Sequence, residues 1–183
     1  MKKLFGFLLI LGATACAQPF GAGIKIGVPF TDAVSLVPGG SPDAFANTNH
    51  YVVGPYGEVR LPGGFSVEID ALYRSFNYSL RGASASNGNW EFPVMAKYKL
   101  LKGPVKPYIE GGLVLSHLTG SDLNITNASN YGVTLGAGLE IHALALRISP
   151  EIRYDGFFFH DFSSNSFVQS NRNQAMVLVG IGF

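Results

Sequence analysis

Hydrophobic and polar residues alternate with a period of two through most of this 183-residue chain. The clearest case is 20–30, where Phe, Ala, Ile and Val occupy the even positions and Gly or Lys most of the odd ones. Because successive side chains of a β-strand point to opposite faces, this spacing predicts strands with one apolar and one polar face. The pattern recurs in eight segments, which are 20–30, about 50–61, 65–74, 90–99, 108–116, 131–141, 146–154 and 176–183. An all-β fold is therefore predicted.

The segments between the predicted strands alternate in length. Short turns are expected at 62–64, 102–105 and 143–145, and long loops rich in Ser, Asn, Asp and Gly at 31–49, 79–89, 119–129 and 156–172. Strands of about ten residues cross a bilayer when they are tilted, and an even strand count with short turns at one end is typical of membrane barrels. We therefore predict an eight-stranded antiparallel up-and-down transmembrane β-barrel over residues 18–183.

The N-terminal segment has the pattern of a secretory signal peptide over residues 1–17. Two lysines precede the apolar run 4–11, and 15–17 provides small residues at the cleavage site. The run is too short for a membrane helix, which needs about 20 apolar residues. An alternative is a lipoprotein signal, since 13–16 loosely matches the lipidation motif that ends in cysteine. Cys16 is the single cysteine, so either reading leaves the mature chain without a disulfide framework.

Alternation alone allows either a soluble lipocalin-like barrel with an apolar cavity or a membrane barrel with an apolar outer wall. The aromatic residues favour the membrane barrel, because they collect at both ends of the apolar face, as expected at two membrane–water interfaces. The predicted girdles consist of Phe30, Tyr51, Tyr73, Trp90, Tyr131 and Tyr154 at the long-loop end, and Phe20, Phe65, Tyr98 and Phe183 at the short-turn end.

Charged residues make up 14% of the chain, against about 25% in an average soluble domain, and those within strands fall on the polar face. Their signs balance, as an enclosed lumen requires, because an unpaired buried charge is costly. The predicted lumen network consists of seven bases, Lys25, Arg60, Arg74, Lys97, Lys99, Arg147 and Arg153, and seven acids, Glu58, Glu68, Asp70, Glu91, Glu110, Glu140 and Glu151.

Several strands carry motifs that resemble the small eight-stranded outer-membrane barrels (the OmpA-like and OmpX-like barrels and the PorT-type outer membrane protein β-barrel domain). The motifs are WEFPVMAKY at 90–98, KPYIEGG at 106–112, GAGLEIH at 136–142 and ISPEIRY at 148–154. The resemblance implies location in the bacterial outer membrane, contact with its lipid and insertion by the barrel-assembly machinery. It also implies that Phe183, after an alternating strand, is the assembly signal.

The function we expect from the sequence is non-enzymatic: membrane structure, or recognition of an unknown surface partner by four long extracellular loops. The alternatives are a lipid-modifying enzyme (a lipid A deacylase or acyltransferase), for which His160, Asp161 and Ser163 are the most enzyme-like cluster, and a lipocalin-like carrier. A monomer without cofactor or metal is expected, since the histidines lack metal-ligand spacing. The net charge of +1 without a basic patch argues against nucleic acid.

Overall fold

The computed structural model describes residues 19–31, 34–36, 44–80, 83–119, 129–143, 146–159 and 168–183. This part of the chain contains no helix with the length and hydropathy of a membrane span. Its elements are β1 Phe20–Pro29, β2 Val34–Leu36, β3 Ala44–Arg60, a 3-10 turn Pro62–Gly64, β4 Phe65–Asp70, β5 Leu72–Leu80, β6 Ala83–Lys99, β7 Val105–Thr119, β8 Ser129–Ala143, β9 Leu146–Phe157, β10 Val168–Ser170 and β11 Asn173–Gly182.

Nine of these strands form one closed sheet in which every neighbouring pair is antiparallel. Its order is β1-β11-β9-β8-β7-β6, then β4 and β5, then β3, which pairs again with β1. β4 and β5 are consecutive parts of one wall strand that is interrupted at Ala71, whose N–H donates to the carbonyl of Pro55 at 2.9 Å. The predicted eight-stranded antiparallel barrel is therefore confirmed.

Where the structure describes the side chains of the wall strands, the polar face is turned inward, as the alternation predicts. On β1, Lys25 is 1% exposed, whereas its neighbours Ile24 and Ile26 are 57% and 50% exposed. The same alternation continues along β9 and β11, where buried and more exposed positions follow each other residue by residue. Since an eight-stranded barrel is just wide enough for its own side chains, the inward residues form the core.

Some strands extend well beyond the segments that the alternation predicts. The predicted loop at 79–89 is wrong, because β5 runs to Leu80, β6 begins at Ala83, and the two strands are paired as far as these residues. Likewise, β3 begins at Ala44, inside the predicted 31–49 loop. Backbone hydrogen bonds between strands need no apolar face, so pairing continues after the hydrophobic period has ended.

A second, two-stranded sheet joins the two longest predicted loops, 31–49 and 156–172. In it β2 pairs antiparallel with β10, with Ser35 opposite Gln169. No sequence pattern predicts this pairing, because three-residue strands are too short for a periodic pattern.

The wall has an irregular seam between β1 and β3. Their ladder ends at the pair Gly27 and Val52, although β1 continues to pair with β11 as far as Pro29. On the other side of β3, Thr48 pairs with Phe76 but Val52 with Arg74, so β3 carries extra residues relative to β5. Such a bulge bends the strand and reorients the neighbouring side chains.

Candidate functional site

Charged side chains from most wall strands meet inside the barrel. All fourteen predicted lumen residues lie on the inward face: twelve are buried, and Lys99 and Arg60, toward the short-turn end, are partly exposed. They occupy three levels along the barrel axis. We call these the middle cluster, the short-turn cluster, at the end with the predicted short turns, and the long-connection cluster, at the end with the predicted long loops.

The middle cluster joins seven residues from five wall strands: Lys25, Glu68, Asp70, Lys97, Glu110, Glu151 and Arg153. Lys25 Nζ lies 2.5 Å from Glu68 Oε1 and 3.0 Å from Glu151 Oε1. Lys97 Nζ lies 2.5 Å from Glu68 Oε2, so Glu68 bridges the two ammonium groups. Each lysine is therefore held at the same level by carboxylates from other strands.

Arg153 forms ion pairs with several carboxylates of the middle cluster. Its guanidinium donates to Glu151 at 2.6 Å, to Asp70 at 2.8 Å and to Glu110 at 3.3 Å. Tyr108 donates a hydrogen bond to Glu151 at 2.8 Å, and its ring lies 4.2 Å from Lys97 Nζ. A buried guanidinium with several charge-assisted bonds fixes the strands that supply its partners.

Two glycines of β8 make room for this arrangement. A Cβ at Gly138 would lie 2.6 Å from the Tyr108 hydroxyl, and one at Gly136 would lie 2.6 Å from Glu110 Oε1. The glycines of the 136–142 motif therefore let large β7 side chains cross the inner face of β8. Both glycines lie within β8, which agrees with a packing role.

The short-turn cluster consists of Glu58, Arg60, Lys99, Lys106, Glu140, His142 and Arg147. Lys99 Nζ bridges Glu58 at 3.0 Å and Glu140 at 2.7 Å. Arg147 pairs with Glu58 and lies 3.4 Å from Glu140. Lys106 lies 3.7 Å from Glu140 and was not among the predicted lumen residues.

The long-connection cluster contains the remaining two predicted charges, Arg74 and Glu91. Arg74 donates to the Gln174 side chain at 2.5 Å and to the Thr31 carbonyl at 2.9 Å. Glu91 accepts a hydrogen bond from Asn89 at 2.9 Å. The lumen also contains a buried apolar group, formed by Val52, Leu72, Met176 and Leu178.

Asp155 is a lumen carboxylate that the sequence analysis missed. It is fully buried and lies opposite Thr134 on β8. It forms no direct ion pair within the described ranges. Asp155 is two residues from Arg153 and four from Glu151, so the alternation along β9 places all three on the same face. The predicted strand ended at 154, just before the predicted 156–172 loop, and therefore did not include Asp155.

With Asp155 and Lys106 included, the described lumen contains eight acids and eight bases, but the signs are unevenly distributed. The middle level has three bases, Lys25, Lys97 and Arg153, against four paired carboxylates and the nearby Asp155. The short-turn level has four bases around Glu58 and Glu140. Balance therefore holds over the length of the lumen and not at each level.

Carboxylate oxygens of Glu68, Glu110 and Glu151 lie within 4.8 Å of one another, a spacing that could hold a metal ion. However, Lys25, Lys97 and Arg153 already contact these carboxylates. All three carboxylates are buried. The arrangement acts chemically as an ionic core that joins strands.

The predicted girdle residues all lie on the outer wall. Tyr73 and Trp90 form a pair with ring centroids 5.1 Å apart, and Phe65 and Tyr98 a pair at 4.6 Å. The outward aromatic residues, of which Tyr73 is the least exposed, are Phe20, Phe30, Tyr51, Phe65, Tyr73, Trp90, Tyr98, Tyr131, Tyr154 and Phe183.

Phe158 and Phe159 join the girdle near Tyr131, each with its ring centroid 5.5 Å from that ring. Phe183 is half-exposed on the outer wall, and its N–H donates to the Ala22 carbonyl at 3.2 Å. The proposed signal segment 1–17 and the cluster His160, Asp161 and Ser163 lie outside the described residues.

A family model described as outer membrane protein beta-barrel domain matches residues 4–177. The crystal structure of OprG from Pseudomonas aeruginosa is similar to the chain with TM-score 0.61 and 11% identity, covering 89% of this chain and 92% of that one. The N-terminal barrel domain of Pseudomonas aeruginosa OprF has TM-score 0.49 and 12% identity, covering 91% and 98%. Ail, the attachment invasion locus protein of Yersinia pestis, has TM-score 0.41 and 10% identity, covering 91% and 100%. No curated protein matches the chain. At such identities the likeness to OprG concerns the fold.

Proposed function

Because the chain belongs to the outer membrane protein beta-barrel domain family, we propose that it is a non-enzymatic, closed barrel of the bacterial outer membrane. In this role it contributes to membrane structure or presents its long connections to a partner at the cell surface. It acts as a monomer in contact with outer-membrane lipid, after insertion by the barrel-assembly machinery.

The observation that carries this proposal is the middle cluster. Side chains from β1, β4, β6, β7 and β9 meet at one level, with Lys25 and Arg153 contacting carboxylates from several of these strands. The residues of this level are almost completely buried. A lumen filled in this way favours a rigid support over a conducting pore.

Support for a surface role comes from the β5–β6 hairpin. Tyr73 and Trp90 are cross-strand partners in the long-connection girdle, and pairing continues to Leu80 and Ala83. At about 3.3 Å per residue, the hairpin extends roughly 20 Å further along the strand direction. Loops on a rigid scaffold are common sites of recognition.

Planar-bilayer recording tests the closed lumen. The refolded barrel, checked by heat-modifiable gel migration, should give no large stable conductance, whereas a porin in the same bilayer should conduct. Large stable conductance by the unmodified barrel would contradict the proposal.

The surface assignment is tested with a short epitope tag inserted between residues 81 and 82, with a matched insertion between residues 102 and 103 in a short turn. Antibody should bind intact cells only for the first insertion. Equal binding to both, or binding only to the second, would overturn the proposed orientation.

The enzyme alternative is tested by mass spectrometry of lipid A from cells that express the chain and from cells that lack it. An unchanged acylation pattern supports the non-enzymatic role. Loss or gain of an acyl chain would favour the lipid-modifying enzyme.

A further inference from the structure

An apolar groove of about 550 Å³ lies on the outer wall where β1, β3 and β11 meet. This is within the range of about 300–1,000 Å³ that is typical of small-molecule sites. None of its lining side chains is charged. The side chains that line it are Ile26, Val28, Tyr51, Val53, Val177 and Val179.

The groove lies at the seam between β1 and β3. The β1–β3 ladder ends at Gly27 and Val52, which also line the groove. The register shift of β3 against β5 immediately precedes Val52. Where two neighbouring strands stop pairing beside a bulge, the wall is no longer a smooth surface.

The position of the groove along the barrel axis indicates which kind of molecule can enter it. Tyr51, at one end, belongs to the aromatic girdle at the long-connection end. From there the groove continues past the cross-strand pair Val28 and Val177 to Ile26 and Val179, toward the middle of the wall. It therefore begins near the membrane–water interface and follows the direction of a lipid tail.

We propose that this groove binds one acyl chain of a membrane lipid, from the bilayer half at the long-connection end, more tightly than the rest of the wall does. The groove is continuous with the apolar outer wall, which in a membrane barrel faces lipid hydrocarbon. A concave surface contacts a chain on several sides, so each methylene buries more apolar area there than on a convex wall.

Native mass spectrometry tests the proposal on the full mature barrel, released in mild detergent from vesicles of phosphatidylethanolamine and phosphatidylglycerol. The groove-filling variant is Val53→Phe, and the matched control is Val133→Phe. Both valines face outward, two residues from a girdle tyrosine, Tyr51 or Tyr131. Val28→Phe provides a second groove variant, and heat-modifiable migration verifies that each variant folds.

The unmodified barrel and Val133→Phe should each retain one phospholipid. The groove variants should retain roughly tenfold less, since losing the contacts of about two methylenes is enough for such a change. Equal retention in Val53→Phe, Val28→Phe and Val133→Phe would overturn the proposal, as would absence of retained lipid in the unmodified barrel. A dimer mass lost only in the groove variants would show that a second copy occupies the groove, which also overturns it.

Discussion

Lys25 Nζ on β1 lies 2.5 Å from Glu68 Oε1 on β4, although β3 separates these two strands in the barrel wall. The contact therefore runs through the lumen and not along the wall. It shows that the ionic core connects strands that share no backbone hydrogen bonds.

Lys25→Met should lower the free energy of unfolding by about 3–5 kcal/mol, because it leaves three buried carboxylates short of a cation. These are Glu68, Asp70 and Glu151, all within 3.2 Å of the ammonium group. Urea unfolding in lipid vesicles measures the effect. Lys102→Met, in an exposed turn, is the control and should change stability by less than about 0.5 kcal/mol. Similar values for the two variants would contradict the importance of the lumen pairs.

Asp155→Asn should leave stability unchanged or increase it, because it removes a buried negative charge that has no direct ion pair in the described lumen. Asp70→Asn is the matched comparison, since Asp70 accepts hydrogen bonds from Lys25 at 3.2 Å and Arg153 at 2.8 Å. That variant should be less stable by about 1–3 kcal/mol. The same unfolding assay gives both values, and a larger loss for Asp155→Asn than for Asp70→Asn would show that the Asp155 carboxylate stabilises the barrel through an ion pair after all.

Leu135→Arg tests the direction of the apolar face. Leu135 on β8 is 59% exposed on the wall, and Leu101 in a short turn is 61% exposed. In a bilayer, Leu135→Arg should cost roughly 2–4 kcal/mol, because the charge lies near the midplane, whereas Leu101→Arg should cost much less. A soluble barrel would tolerate both changes alike, so equal unfolding energies in vesicles would count against the membrane assignment.

Phe183→Ala tests the predicted assembly signal. Phe183 is half-exposed on the outer wall, so its loss should change refolding into detergent only modestly. Its level in the outer membrane of cells should fall much further, as measured by membrane fractionation. Phe20→Ala, an exposed aromatic of the same girdle, is the control and should insert normally. Normal insertion of Phe183→Ala would show that the residue is only an interface anchor.

The strand faces were predictable from the sequence because they depend on local geometry. Side chains alternate between the two faces of a strand, so Lys25 points away from Ile24 and Ile26. If the apolar face is the outer wall, Lys25 must be buried in the lumen, as it is. The short turn at Pro62–Gly64 was predictable for a local reason too. Gly63 and Gly64 both adopt positive φ, a conformation that glycine reaches more easily than other residues.

The ends of the strands were less predictable, because they depend on backbone hydrogen bonds and not on the hydrophobic alternation. Hydrophobic alternation ends near the Tyr73 and Trp90 pair, but the backbone hydrogen bonds of β5 and β6 continue to Leu80 and Ala83. Outside the membrane both faces of a strand can be polar, so no periodic signal marks this part of the hairpin.

The sequence was thus enough to predict which residues face the lumen and which face lipid. Which of the lumen charges meet depends on the tertiary structure. Lys25 and Glu151 are 126 residues apart, and their contact depends on the barrel closing through β11. Closure, register and strand tilt together place side chains of distant strands at one level. These are properties of the whole sheet, so no local pattern encodes the ion pairs, the uneven charge along the lumen or the groove at the β1–β3 seam.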